Sequence, residues 1–176
     1  MKETNFNNFD IFQNIYRKYC FGHSKWYFFN IYSKGKTQMY ITENFTLEEL
    51  YKSNTADKLK INNTPNEEVK KSLMLLATKV LQPLREAFGK PITVTSGYRS
   101  PLLNQAVKGA KTSQHLKGEA ADLKCSDNKK LFEIAKKLIE EKKIEVGQLI
   151  DEYGYSWVHI SLPNLKHKNE ILHIKK

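Results

Sequence analysis

Ser113-Gln114-His115-Leu116-Lys117-Gly118-Glu119-Ala120-Ala121-Asp122, read together with Trp157-Val158-His159-Ile160-Ser161, decides how this chain is understood. His115 and Asp122 stand seven residues apart across Gly118. That spacing lets a loop and the strand after it turn back on one point. His159 lies in a segment alternating polar and apolar residues, the period of a half-buried strand, and a neighbouring strand brings it to the same place. Two imidazoles and a carboxylate are a ligand set for Zn2+, and three protein ligands leave the fourth position open for water. The stretch therefore reads as a catalytic zinc site. Each residue alone is weak evidence: a single His on a strand is commonly a core or surface histidine, and an Asp can cap a turn. The combination carries the weight, because the three fall on elements that share one sheet. His23, His167 and His173 have no carboxylate at comparable spacing and are assigned to the surface.

The flanking sequence supplies that sheet. Ile92-Thr93-Val94-Thr95-Ser96 alternates as a strand ended by Gly97, which leaves Tyr98-Arg99 on a loop. Ser100-Pro101 opens a short helix over 102–107 that Gly109 terminates. Residues 120–125 form the next strand, and its small side chains imply close approach of a backbone or a ligand. Leu131, Phe132, Ala135, Leu138 and Ile139 mark a helix with a Lys/Glu-rich outer side. Gln148–Glu152 and Trp157–Ser161 are strands so close together that they form an antiparallel hairpin.

Upstream, Thr46-Leu47-Glu48-Glu49 is a capping box before a short helix to about residue 52. Thr64-Pro65-Asn66-Glu67 repeats the device with Pro at the first helical position. The helix it opens carries Val69, Leu73, Leu76, Val80, Leu84 and Phe88 in one core-facing stripe. Pro83 kinks that helix or ends it early. Residues 1–38 are an N-terminal extension: apolar residues recur at helical spacing over 9–19, a strand falls at 26–32, and Ser33-Lys34-Gly35-Lys36 turns back into 38–42. Residues 39–165 are the zinc domain, and 166–176 are a basic, polar tail. Strands and helices mixed without a regular βαβ rhythm give an α+β fold. The expected architecture is a small, mostly antiparallel sheet with helices packed on one face and the zinc site in a groove on the other.

A chain of 176 residues fits one domain with an appendage and can bury a real core. Its formal charge of +10 favours an anionic partner such as nucleic acid, acidic lipid or bacterial wall polymer. The lysines come as scattered pairs on helix faces without an aromatic-interleaved stripe, so nucleic acid is the weaker explanation and is not expected as a partner. Cys20 and Cys125, far apart, read as two reduced thiols. The N-terminus lacks the pattern of a signal peptide, and no run approaches the ~18 apolar residues of a membrane span. The expectation is a protein made in the cytoplasm, with no membrane span and monomeric by default.

Thr95-Ser96-Gly97-Tyr98-Arg99-Ser100, Ser113-x-His115-x-x-Gly118-x-Ala120-x-Asp122 and Trp157-Val158-His159-Ile160-Ser161 together resemble the zinc D-alanyl-D-alanine carboxypeptidase family. Its members are metallopeptidases that cleave peptidoglycan stem peptides. The similarity extends to Phe45-Thr46-Leu47-Glu48-Glu49-Leu50 and Leu81-Gln82-Pro83-Leu84-Arg85, as in the small-domain phage and bacterial branch. It covers about residues 39–162. The resemblance implies zinc held by His115, Asp122 and His159, in agreement with the reading above. It also implies that Arg99 faces the metal and holds a substrate carboxylate or the anionic intermediate, which suits a planar, permanently charged fork. Without the resemblance, Arg99 would read as a surface ion pair.

Ser113 either bonds substrate or ties the loop, and Trp157 either lines the groove or packs in the hairpin core. The general base departs from part of the family, whose members carry Glu or His three residues before the last His ligand. Here that position is Ser156, which leaves Glu152 or Asp151. An even loop puts Glu152 on the face of Trp157 and His159 and sends Asp151 away; the branch also tends to carry Glu at this place, so Glu152 is chosen.

The function implied is zinc-dependent hydrolysis of a peptidoglycan peptide bond by metal-activated water, of the D-Ala-D-Ala carboxypeptidase or L-Ala-D-Glu endopeptidase type. Glu152 moves the proton and Arg99 steadies the oxyanion. Release by host lysis or carriage in a virion would deliver such an endolysin-like protein to the wall. The alternative is a non-catalytic zinc module for wall binding or phage structure, as hedgehog-type domains keep zinc without evident peptidase work.

Overall fold

The computed structural model describes residues 30–33 and 36–175; the expectations for residues 9–19, for most of the strand at 26–32, and for Cys20 and His23 lie outside them. A short hairpin pairs β1 (Asn30–Ser33) with β2 (Lys36–Met39). The Thr46 capping box forms: Glu49 N donates to Thr46 Oγ1 at 3.3 Å while Glu49 Oε2 accepts from Thr46 N at 3.1 Å. It leads into a 3-10 turn, Glu48–Leu50, shorter than the helix expected. Next comes a helix with no counterpart in the expectations, α1 (Asn54–Leu59), capped by the Ser53 side chain.

Helix α2 (Glu67–Leu76) starts two residues later than Thr64 suggests, because Asn66 is the residue whose side chain accepts from Val69 N, at 2.9 Å. All six residues of the predicted stripe are buried. Pro83 does not end the element: a π turn, Ala77–Leu81, joins α2 directly to α3 (Gln82–Phe88). A proline removes one helical donor and crowds the preceding turn, and a widened turn is one way a helix absorbs that insertion.

The five-stranded sheet consists of β3 (Thr93–Ser96), β4 (Ala120–Lys124), β5 (Gln148–Glu152), β6 (Trp157–Ser161) and β7 (Glu170–Ile174), ordered β3-β4-β6-β5-β7. Between β3 and β4 run α4 (Pro101–Ala106) and a 3-10 turn, Gln114–Lys117; α5 (Asn128–Glu140) follows β4. The pairings β3–β4, β4–β6 and β5–β6 are antiparallel, as expected, and the fold is α+β. At the edge β7 joins β5 in parallel, so the sheet is mixed but mostly antiparallel, as expected; the strand comes from residues read as tail.

Alternation divides the sheet's two faces. Ala121, Leu123, Leu149, Val158 and Ile160 are fully buried in the core shared with α2, α3 and α5. Fully burying each of the larger of these contributes about 1.5–3 kcal/mol, so the register is firmly specified. A slip of one residue would drive His159 and Asp122 into that core. The opposite face holds Asp122, Ile150, Glu152, Trp157 and His159, and an open groove of about 1090 Å³ lies over it.

Candidate metal centre

His115 belongs to the 3-10 turn that Ser113 caps, its hydroxyl accepting from His115 N at 3.4 Å. The turn ends at Gly118, whose φ of +68° is the left-handed conformation that glycine accepts most readily. A Cβ there would also lie 2.9 Å from Val69 Cγ1 of α2. The turn therefore sits hard against that helix, with the His115 ring 2% exposed. The ring is oriented by Gly97: His115 Nδ1 donates to the Gly97 carbonyl at 2.7 Å, which leaves Nε2 free of a proton and aimed at the groove. Gly97 is itself fixed, since a Cβ on it would fall 2.0 Å from the Leu50 carbonyl oxygen. Its carbonyl is a partner that no sequence pattern announces; only its place at the end of β3 was legible.

Asp122 and His159 are directly opposed across β4 and β6. His159 Nδ1 lies 2.9 Å from Asp122 Oδ1, and His115 Nε2 lies 3.3 Å from both. The three residues predicted as ligands thus converge on one point. A tetrahedral zinc ion with bonds of about 2.0–2.1 Å to nitrogen and oxygen spaces its ligand atoms at about 3.3 Å, so the donor set and its spacing fit such an ion. Electrostatics agree. Burial pushes the Asp122 carboxyl up, but the hydrogen bonds and charge of His115 and His159 outweigh it and hold the group well below the usual carboxylate range. Burial lowers the His115 pKa against the pull of Asp122, favouring the neutral ring that a metal needs.

The remaining predicted residues gather on the same groove, which Arg99, Ser113, Glu152 and Trp157 all line. Desolvation lowers the Arg99 pKa while Asp122 opposes it, and Nε is buried without a hydrogen-bond partner among the described residues. The hairpin loop has four residues, with Glu152 paired to Trp157 and Ile150 to His159. Glu152 therefore shares the face of His159. Its carboxyl is raised, first by desolvation and also by the charges of Asp122 and Asp151, against His159. Asp151 points away: it is 6% exposed, accepts from Tyr155 N through Oδ1, and meets His173 Nδ1 at 3.2 Å through Oδ2. Ser156, three residues before His159, is committed to its turn, Oγ donating to the Tyr153 carbonyl at 2.9 Å.

Two histidines assigned to the surface have partners. His173 packs on Phe132 with ring centroids 5.1 Å apart, and His167, also on the groove, meets Glu170 at 2.8 Å. Tyr153 and Ile174 form part of the groove wall and were not anticipated; for Ile174 the sequence holds no periodic signal, since Glu170-Ile171-Leu172-His173-Ile174 does not alternate.

The zinc D-Ala-D-Ala carboxypeptidase of Streptomyces albus G is 54% identical to this chain over 44 residues. That stretch is 24% of this chain and spans 17% of the relative's length. The Peptidase M15 family profile matches residues 43–161, a segment that holds all three converging donors together with Arg99 and Glu152, and the chain belongs to the peptidase M15 family.

Proposed function

We propose that the chain is a zinc-dependent peptidase that hydrolyses a peptide bond in peptidoglycan stem peptides, of the D-Ala-D-Ala carboxypeptidase or L-Ala-D-Glu endopeptidase type. The observation that carries this reading is the mutual spacing of His115 Nε2, Asp122 Oδ1 and His159 Nδ1 at the floor of a groove, in a chain of the M15 family. The named relative, a zinc D-Ala-D-Ala carboxypeptidase, supports the metal and the substrate class.

His115, Asp122 and His159 hold the ion. Zinc supplies Lewis-acid activation of water and of the scissile carbonyl. Glu152 accepts the proton of the attacking water and returns it to the leaving amine nitrogen. Its raised pKa makes it a stronger base than an ordinary carboxylate. Arg99 presents its guanidinium to the substrate carboxylate or to the oxygen that becomes anionic, in a partly desolvated setting where a charge acts strongly. Ser113 holds the His115 turn and is placed on the groove to bond substrate. Trp157 offers a flat apolar wall.

The test is digestion of defined stem peptides by the zinc-loaded protein, read by mass. Release of D-alanine, or cleavage at L-Ala-D-Glu, identifies the bond. Metal held in equimolar amount with no turnover on any wall peptide would replace this reading with that of a zinc-containing wall-binding module.

A further inference from the structure

Arg99 stands on a loop between β3 and α4, outside any repeating backbone pattern. Asn63, on the loop between α1 and α2, is 8% exposed, and both polar atoms of its carboxamide are hydrogen-bonded. Nδ2 donates to the Tyr98 carbonyl at 3.1 Å and to the Tyr51 carbonyl at 2.6 Å; Oδ1 accepts from Ser100 N at 2.7 Å. The peptide groups on either side of Arg99 are thus gripped by one side chain from a segment 35 to 37 residues away. Two further bonds frame the same loop: Tyr98 N donates to the Leu50 carbonyl at 2.7 Å and Arg99 N to the His115 carbonyl at 3.1 Å.

We propose that Asn63 is the positioning residue for Arg99, the buried clip that aims its guanidinium at the groove; this rests on the reading of Arg99 as the group that binds substrate anion. Asn63 acts through the backbone. Arginine is long and rotamer-rich, and Nε of Arg99 is buried with no partner among the described residues. Its direction is therefore set by its Cα and by the walls around it, not by a bond at Nε. An asparagine offers two donors and an acceptor in one rigid plane. That is what is needed to close on a carbonyl before the arginine and an amide after it. A misplacement of about 1 Å at a charge-binding group costs on the order of 10²-fold in rate.

The experiment is a double-mutant cycle on the zinc-loaded full chain with Asn63→Ala and Arg99→Ala. Asn63→Ala should lower kcat/KM about 10- to 100-fold with zinc content unchanged, and should cost less than about threefold more once Arg99→Ala is present, the non-additivity of residues acting as a unit. Additive losses, or full activity in Asn63→Ala, would overturn the proposal. If Asn63→Ala does not fold, the cycle is run with the isosteric Asn63→Asp, which keeps the acceptor for Ser100 N. A second readout needs no turnover. The Arg99 Nε–H resonance should exchange slowly in the wild type and be lost or broadened by the Asn63 variant, while the His115 ring signals hold; an unchanged Arg99 resonance would sink the idea. Should the wild type cleave nothing, the peptidase reading fails while this resonance still judges the clip.

Discussion

Glu152 and Asp151 are adjacent carboxylates that the strand sends to opposite faces, and their environments give them different work. Asp151 is locked to Tyr155 N and His173. Glu152 faces the groove with its pKa raised. A base works only when deprotonated, so kcat/KM should climb with pH through a value above the ordinary carboxylate pKa of ~4.3. Glu152→Gln should remove that acid limb and lower kcat by about 10²- to 10⁴-fold at unchanged zinc content; a steady-state pH series with metal analysis checks both. Gly97 offers a second residue-scale prediction. Gly97→Ala drives a methyl into the Leu50 carbonyl and shifts the oxygen that orients His115. Metal affinity should fall about 10- to 100-fold, as for loss of an orienting partner, measured by competition with a chromophoric chelator.

At the scale of elements, the turn between β5 and β6 carries three left-handed residues in a row, Tyr153 at φ 53°, Gly154 at 68° and Tyr155 at 60°. Two are not glycine and hold conformations that cost of order 1 kcal/mol or more each. Strand β7 helps restrain them: Tyr153 N donates to the Ile174 carbonyl at 2.8 Å, and His173 engages the Asp151 that accepts from Tyr155 N. His173→Ala should destabilise the protein by about 1–2 kcal/mol through the half-satisfied Asp151, seen as a lower urea midpoint. It should also lower turnover more than zinc binding, since Glu152 borders the turn. This strand was not legible in the sequence for a physical reason. Glu170 to Ile174 run polar, apolar, apolar, polar, apolar, which is not the period of a strand, and their parallel partner is fixed only once β5 is in place. Helix α1, six residues long, escaped for lack of length. The ligand strands were legible because a polar residue at every second place in an otherwise apolar run marks one wet face, and the stripe from Val69 to Phe88, which runs through α2, the π turn and α3, because it repeats over about five turns. Where the cap of α2 fell, at Asn66 and not Thr64, was a choice between two adequate acceptors that spacing could not make.

For the molecule as a whole, the sheet and the turn before β4 bring the three donor atoms within 3.3 Å of one another. The centre is therefore assembled by the fold, and removing the metal should leave a folded protein. Chelation should abolish activity, and zinc at 1,000 times its dissociation constant should restore about 4 kcal/mol of stability, read as a rise in the thermal midpoint without a change in far-ultraviolet dichroism. The +10 charge adds a separate expectation: attraction to anionic wall polymer should weaken between 50 mM and 500 mM salt as screening shortens its range, while hydrolysis of a small soluble peptide should change little.

The division of the sheet into a dry side and a wet side reaches further than the placement of any one group. From Trp157 to Ile160 along β6, Trp157 and His159 belong to one side, Val158 and Ile160 to the other. Substitution scanned one residue at a time down this strand should trace two interleaved records, turnover dipping at odd numbers and melting temperature at even ones. Selection can thus retune what is cleaved without loosening the body that holds the tool.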